Sequence, residues 1–84
     1  MPDFRTSTIT WGGGHALQRA RERGVDPAAA ELIIRTSTEL EPGHRDRWIV
    51  WGCVAGRRIK VIVQPVSADR CIIGTIIRTG VPCT

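Results

Sequence analysis

The sequence has a single lysine and no closely spaced cysteine pair, and each scarcity excludes something. Lys60 stands alone against eleven arginines, with eight carboxylates, for a net charge of +4. Arginine presents a rigid fork of donors matched to phosphate or carboxylate oxygens, whereas lysine acts as a point charge, so an arginine-dominated surface suits a phosphate-bearing partner. A GC-rich genome also writes Arg where another writes Lys, so placement has to decide. No run approaches the roughly 20 apolar residues of a membrane helix, and the N-terminus lacks the charged-then-apolar order of a signal peptide. Cys53, Cys71 and Cys83 are odd in number, far apart and without a C-x-x-C motif, so neither a disulfide framework nor a zinc site is expected. Cys53 and Cys71 read instead as small strand residues. The carboxylates are scattered, with no cluster to hold Mg²⁺, and no metal or cofactor is expected.

What is present is ordinary in amount and uneven in distribution. The 84 residues are 42% apolar and suffice for one domain, 1–84, with one core. Residues 1–12 form a lead-in in which Phe4 and Ile9 can anchor to the core, with one possible edge strand. Residues 13–36 read as helical. Gly12, Gly13 and Gly14 break the chain, good helix formers run from His15 to Arg23, and Gly24 supplies a left-handed stop. Asp26 is then an N-cap, Pro27 fits the first helical position, and Ala28 to Arg35 continues the second helix. Thr36 to Asp46 reads as a loop.

Residues 47–79 read as an antiparallel meander, with strands at Arg47 to Val54, Arg58 to Gln64 and Arg70 to Arg78. Ile59, Val61 and Val63 alternate with Arg58, Lys60 and Gln64, setting an apolar row against a basic one. Ile62 interrupts the alternation. The last strand is apolar on both faces and is expected to lie centrally, with Gly74 a point of close approach. The fold class is α+β: two N-terminal helices followed by a three- to four-stranded antiparallel sheet.

His15, Arg19 and Arg23 recur every four residues, so successive side chains step only about 40° round a helix and share one side. Ala16, Leu17 and Ala20 take the other. Like charges at this spacing repel unless an anion reverses the cost, and the row with Arg58 and Lys60 suggests an anion site in a cleft between helix and sheet. The helix N-terminus and Arg19 both disfavour a charged imidazole, so His15 is a candidate proton acceptor. The alternative is a solvated helix face whose arginines pair with Glu22 or Glu31. Trp48 and Trp51 fall on opposite faces of one strand; the one outside the core either packs at an interface or stacks a base.

The segments HALQRARERG, GRRIKVIV and CIIGTIIRTG resemble a group of small bacterial domains marked by a helix H-A-x-x-R-x-x-x-R-G, a strand G-R-x-x-x-V-V and a last strand centred on I-x-T. That group is similar in layout to the BrnT, RelE and colicin D ribonucleases, and the layout is also barnase-like. The resemblance implies a metal-independent endoribonuclease of the bacterial toxin type, cleaving RNA by 2′-hydroxyl attack. It marks His15, Arg19, Arg23, Arg58 and Thr75 as catalytic, and Arg57, Lys60 and Arg78 as substrate-binding. Trp51 and His44 join the substrate-binding set, His44 as a possible second imidazole or simply a loop residue. Lys60 stands where that group often carries His or Tyr, which leaves the general acid unassigned. The implied partners are RNA and a cognate antitoxin or immunity protein, with a homodimer possible, no membrane, and action in the cytoplasm. The competing expectations are a non-catalytic module that binds an anion, RNA or protein through the same face, or a homodimerising structural domain.

Overall fold

The structure, a computed structural model, describes residues 3–83; residues 1 and 2 of the lead-in and residue 84 lie outside the described residues. The element order is β1 (Thr8–Trp11), α1 (His15–Glu22), α2 (Pro27–Thr36), β2 (Leu40–Pro42), β3 (Trp48–Val54), β4 (Arg57–Ser67) and β5 (Arg70–Pro82). The sheet has five strands in the order β1-β5-β4-β3-β2. Four of them form an antiparallel ladder, and β1 lies parallel to β5, so the sheet is mixed. The expectation of three or four antiparallel strands is corrected at both edges. At one edge the lead-in contributes β1, the edge strand anticipated there, which runs parallel to β5 and is held by Thr8 N–H on the Asp69 carbonyl at 2.7 Å and Gly12 N–H on the Ile73 carbonyl at 3.0 Å. At the other, Leu40–Pro42 adds three residues from the stretch read as a loop; Pro42 lacks an N–H, which suits an edge strand.

The helices form where the sequence places them. Asp26 accepts from Ala28 N–H at 2.9 Å, Pro27 opens α2, and Gly24 takes φ 70° as α1 ends. Both helices cover the same face of the sheet. Ala16 and Ala20 of α1 are buried over β5, and Ala30, Ile33 and Ile34 of α2 are buried with Val50, Ile59, Val61, Val63, Cys71, Ile73 and Ile76 beneath them. Each fully buried Ile or Val stabilises the fold by about 1.5–3 kcal/mol relative to exposure, so this one layer supplies most of the driving force. Gly52 of β3 lies under α2, where a Cβ would come within 2.5 Å of Ile33 Cγ1. Phe4 is buried and Ile9 packs on the core.

β5 lies inside the sheet, as its two apolar faces suggest. It breaks register with β4 at Gly74, because Ile62 pairs with Thr75 while Val63 pairs with Ile73. Among the described residues no helix covers the other face of the sheet. Ile49, Ile62 and Ile72 lie there half-buried, and Ile77 is 37% exposed.

Candidate functional site

α1 begins at His15, directly after the glycine turn that leaves β1. His15 and Arg19 are exposed, Arg23 is half-buried, and the spacing keeps the three on one side of the helix. The pairing with Glu22 or Glu31 is not made: Glu22 accepts from Gln18 Nε2 at 3.0 Å, and among the described residues neither Arg19 nor Arg23 has an ion-pair partner. Arg23 turns toward the sheet and donates from Nη1 to the Ile76 carbonyl. Arg78 of β5 approaches the same seam from below, with Nη1 3.5 Å from the Arg23 carbonyl oxygen. Two guanidinium groups are thereby tethered to the α1–β5 seam by main-chain carbonyls, and among the described residues neither meets a carboxylate.

Arg58, Lys60, Trp51 and Thr75 are elsewhere. Register partners in a sheet share a face; Lys60 pairs with both Trp51 and Ile77, and Thr75 with Ile62, all on the face the helices leave bare. Arg78 pairs with Ile59 and therefore lies on the helix side. The expected single cleft is thus divided into a helix-side group, with Arg23 and Arg78 meeting at the seam and His15 and Arg19 exposed farther along the same side of α1, and a bare-face group.

The bare-face group is built round Trp51. The Arg58 guanidinium lies 4.4 Å from the indole centroid and Lys60 Nζ 5.8 Å, both within cation–π range. Trp51 Nε1–H donates to Glu41 at 3.2 Å, and Arg58 Nη2 pairs with Glu39 at 2.6 Å. That ion pair is partly exposed and contributes about 0–1 kcal/mol, so it orients Arg58 more than it stabilises the fold. Arg57 is exposed at the start of β4. His44 is exposed in the loop between β2 and β3 and makes no hydrogen bond or ion pair among the described residues. Trp48 points to the helix side and packs against the core, so the two tryptophans divide as alternation requires.

Sequence reasoning missed the two acids. Glu39 and Glu41 are two residues apart around β2, and their alternation became meaningful only once that segment was known to pair with β3. It also missed a disulfide. Cys53 and Cys83, 30 residues apart with Cα atoms 6.2 Å apart, are bonded, which overturns the reading of Cys53 as a plain strand residue. Cys71 is free and buried, as expected of a small strand residue, and burial pushes its thiol pKa up. Among the described residues no three of His, Cys, Asp and Glu gather to hold a metal ion, and no helix is long and apolar enough to cross a membrane.

The architecture, two helices on one face of a five-stranded mixed sheet, is a BrnT-like fold. Among solved structures the chain is similar to the Brucella abortus ribonuclease toxin BrnT, with a TM-score of 0.66 and 22% sequence identity over 90% of this chain and all of that one. No protein-family model and no curated protein matches the sequence.

Proposed function

We propose that the protein is a metal-independent endoribonuclease of the bacterial toxin type whose reacting centre is the α1–β5 seam. The observation that carries this reading is the pair of guanidinium groups, Arg23 held on the Ile76 carbonyl and Arg78 with Nη1 3.5 Å from the Arg23 carbonyl, with no carboxylate among the described residues to neutralise them. Such a pair is preorganised for a dianionic phosphorane, because its donors are fixed before substrate arrives. The likeness to a ribonuclease toxin across the length of the chain supports the same reaction class.

In this reading the 2′-hydroxyl of RNA loses its proton to the His15 imidazole as the 2′-oxygen attacks the adjacent phosphorus. Arg19, Arg23 and Arg78 stabilise the charge gathered on the phosphorane oxygens. The 5′-oxygen departs and takes a proton from solvent, leaving a 2′,3′-cyclic phosphate and a 5′-hydroxyl. Arg58 and Thr75, on the other face, serve with Lys60 and Trp51 to hold RNA away from the scissile bond, while Arg57, the register partner of Val54, lies on the helix side and is left out of that group. An acidic antitoxin or immunity protein is the natural inhibitor of so basic a surface.

The test is cleavage of total RNA by wild type and His15→Ala, in EDTA and in Mg²⁺, with product termini identified. Cyclic phosphate termini formed equally in both buffers by wild type, and lost in His15→Ala while RNA is still bound, are expected. RNA left intact by wild type in both buffers would remove the enzyme reading and leave a binding module.

A further inference from the structure

The disulfide joins strands that do not touch. Cys53 ends β3 and Cys83 follows β5, yet β4 lies between them, so the bond spans the start of β4. Cys53 is the register partner of Arg58, which places the bond on the bare face beside that guanidinium. Three further contacts hold the end of β5 beside the same spot. Thr79 Oγ1 donates to the Arg58 carbonyl at 2.8 Å, Cys83 N–H donates to the Gly56 carbonyl at 3.0 Å, and Pro82 pairs with Arg57.

Ser37, Glu39, Trp51 and Arg58 line an open recess of about 370 Å³ whose remaining wall includes both cysteines. Cys53 is exposed and Cys83 half-buried, so a soluble thiol can reach the bond, while the third thiol, Cys71, is sealed in the core.

We propose that Cys53–Cys83 is a reversible redox latch that clamps the end of β5 as one wall of the Trp51–Arg58 recess and lets that recess widen on reduction. The reductant is a cellular dithiol. One thiolate attacks a sulfur of the bond and forms a mixed disulfide, and the second thiolate resolves it. The protein gains two electrons and two protons as two thiols, and the dithiol leaves as its own disulfide. Cysteine pairs of this kind are reduced in a thiol-rich cytosol and close under oxidising conditions. With the clamp open, the end of β5 is left with hydrogen bonds alone, and a phosphate-bearing strand reaches Arg58 and the indole more fully. This consequence rests on the RNA reading above; the opening itself does not.

The test compares oxidised and reduced protein, with Cys83→Ser and Cys53→Ser as permanently open forms. Alkylation after denaturation is expected to label Cys71 alone in the oxidised protein and all three cysteines after reduction. Reduction is expected to shift the NMR signals of the Trp51 indole N–H and the Arg58 amide. It should also tighten binding of a single-stranded 2′-O-methyl oligonucleotide, which lacks the attacking hydroxyl, several-fold. Both serine variants should match the reduced protein with or without reductant. If the oligonucleotide binds and redox state changes neither its affinity nor those signals, the latch is overturned and the RNA reading stands. If the signals move but neither form binds, the latch stands and the RNA reading loses its bare-face grip. Failure of Cys53 and Cys83 to pair under oxidising conditions also overturns the proposal.

Discussion

Arg23 at the end of α1 donates its guanidinium to the carbonyl of Ile76, 53 residues later in β5. The contact fixes the helix carrying His15 against the strand carrying Arg78, so it is structural and lies within the proposed site. Replacing Arg23 by Met leaves that carbonyl without its charged donor and should cost about 1–3 kcal/mol, read by urea unfolding. Arg23→Lys should retain most of the stability and still lose RNA cleavage, because an ammonium cannot replace the fork on both carbonyl and phosphate. Equal activity of the lysine variant and wild type would remove Arg23 from the reacting centre.

Gly52 and Ile33 test the packing of α2. A Cβ at Gly52 would meet three side-chain carbons of Ile33 at 2.5–2.7 Å. Gly52→Ala should therefore destabilise by about 1–3 kcal/mol through overpacking. The penalty should shrink when Ile33→Ala is added, and a double-mutant cycle with no coupling would contradict the contact.

The hairpin between β3 and β4 turns on Ala55 and Gly56, with φ 53° and 77°. Positive φ at both positions is the type I′ signature, and Ala is poorly suited to the first of them. Ala55→Asn should raise stability by roughly 0.5–1 kcal/mol, since Asn tolerates the left-handed region. A lower melting temperature would show that the turn relaxes to another type.

Closure of the disulfide should be visible as stability. By loop entropy, a cross-link over a 30-residue separation is worth about 3–4 kcal/mol. Reduction, or Cys83→Ser, should lower the unfolding free energy by an amount of that order, while Cys71→Ser acts by a different route, through a buried polar group.

Cys71 also predicts the alkaline behaviour. Burial raises its thiol pKa above the ordinary value of 9.0, so at high pH the native state holds a proton that the unfolded state releases. Stability is then unaffected below the unfolded value and falls as pH rises from it toward the folded one. Cys71→Ala should flatten that decline in unfolding measured between about pH 8 and 10.5.

Much of this fold was legible because its signals are local. Asp26, Pro27 and Gly24 punctuate two short helices through side-chain and backbone preferences that act within a few residues. Ile59, Val61 and Val63 declare a buried strand face by alternation alone, and Ile62 breaks the pattern because the opposite face is bare and partly apolar. β1 was harder: its four residues owe their strand form to Arg70–Ile73, some sixty positions away, and carry no period of their own. β2 was hidden by Pro42, which is acceptable only because that strand is an edge.

The candidate site was half legible. Helix geometry alone aligns His15, Arg19 and Arg23. Which face Arg78 shares with them could not be counted along the strands, because the shift at Gly74 changes the parity on which such counting depends. Cys53 and Cys83 gave no spacing cue, since what brings them together is the width of one intervening strand.

The resting of α1 on β5 has a consequence for synthesis. The helix that carries His15 is made early, and its platform is the last strand to be made. Until Arg70–Pro82 has emerged, Arg23 has no carbonyl to grip, Arg78 does not yet exist, and β1 has no neighbour to pair with. A nascent chain on the ribosome, surrounded by RNA, therefore lacks the α1–β5 seam until β5 itself has been made.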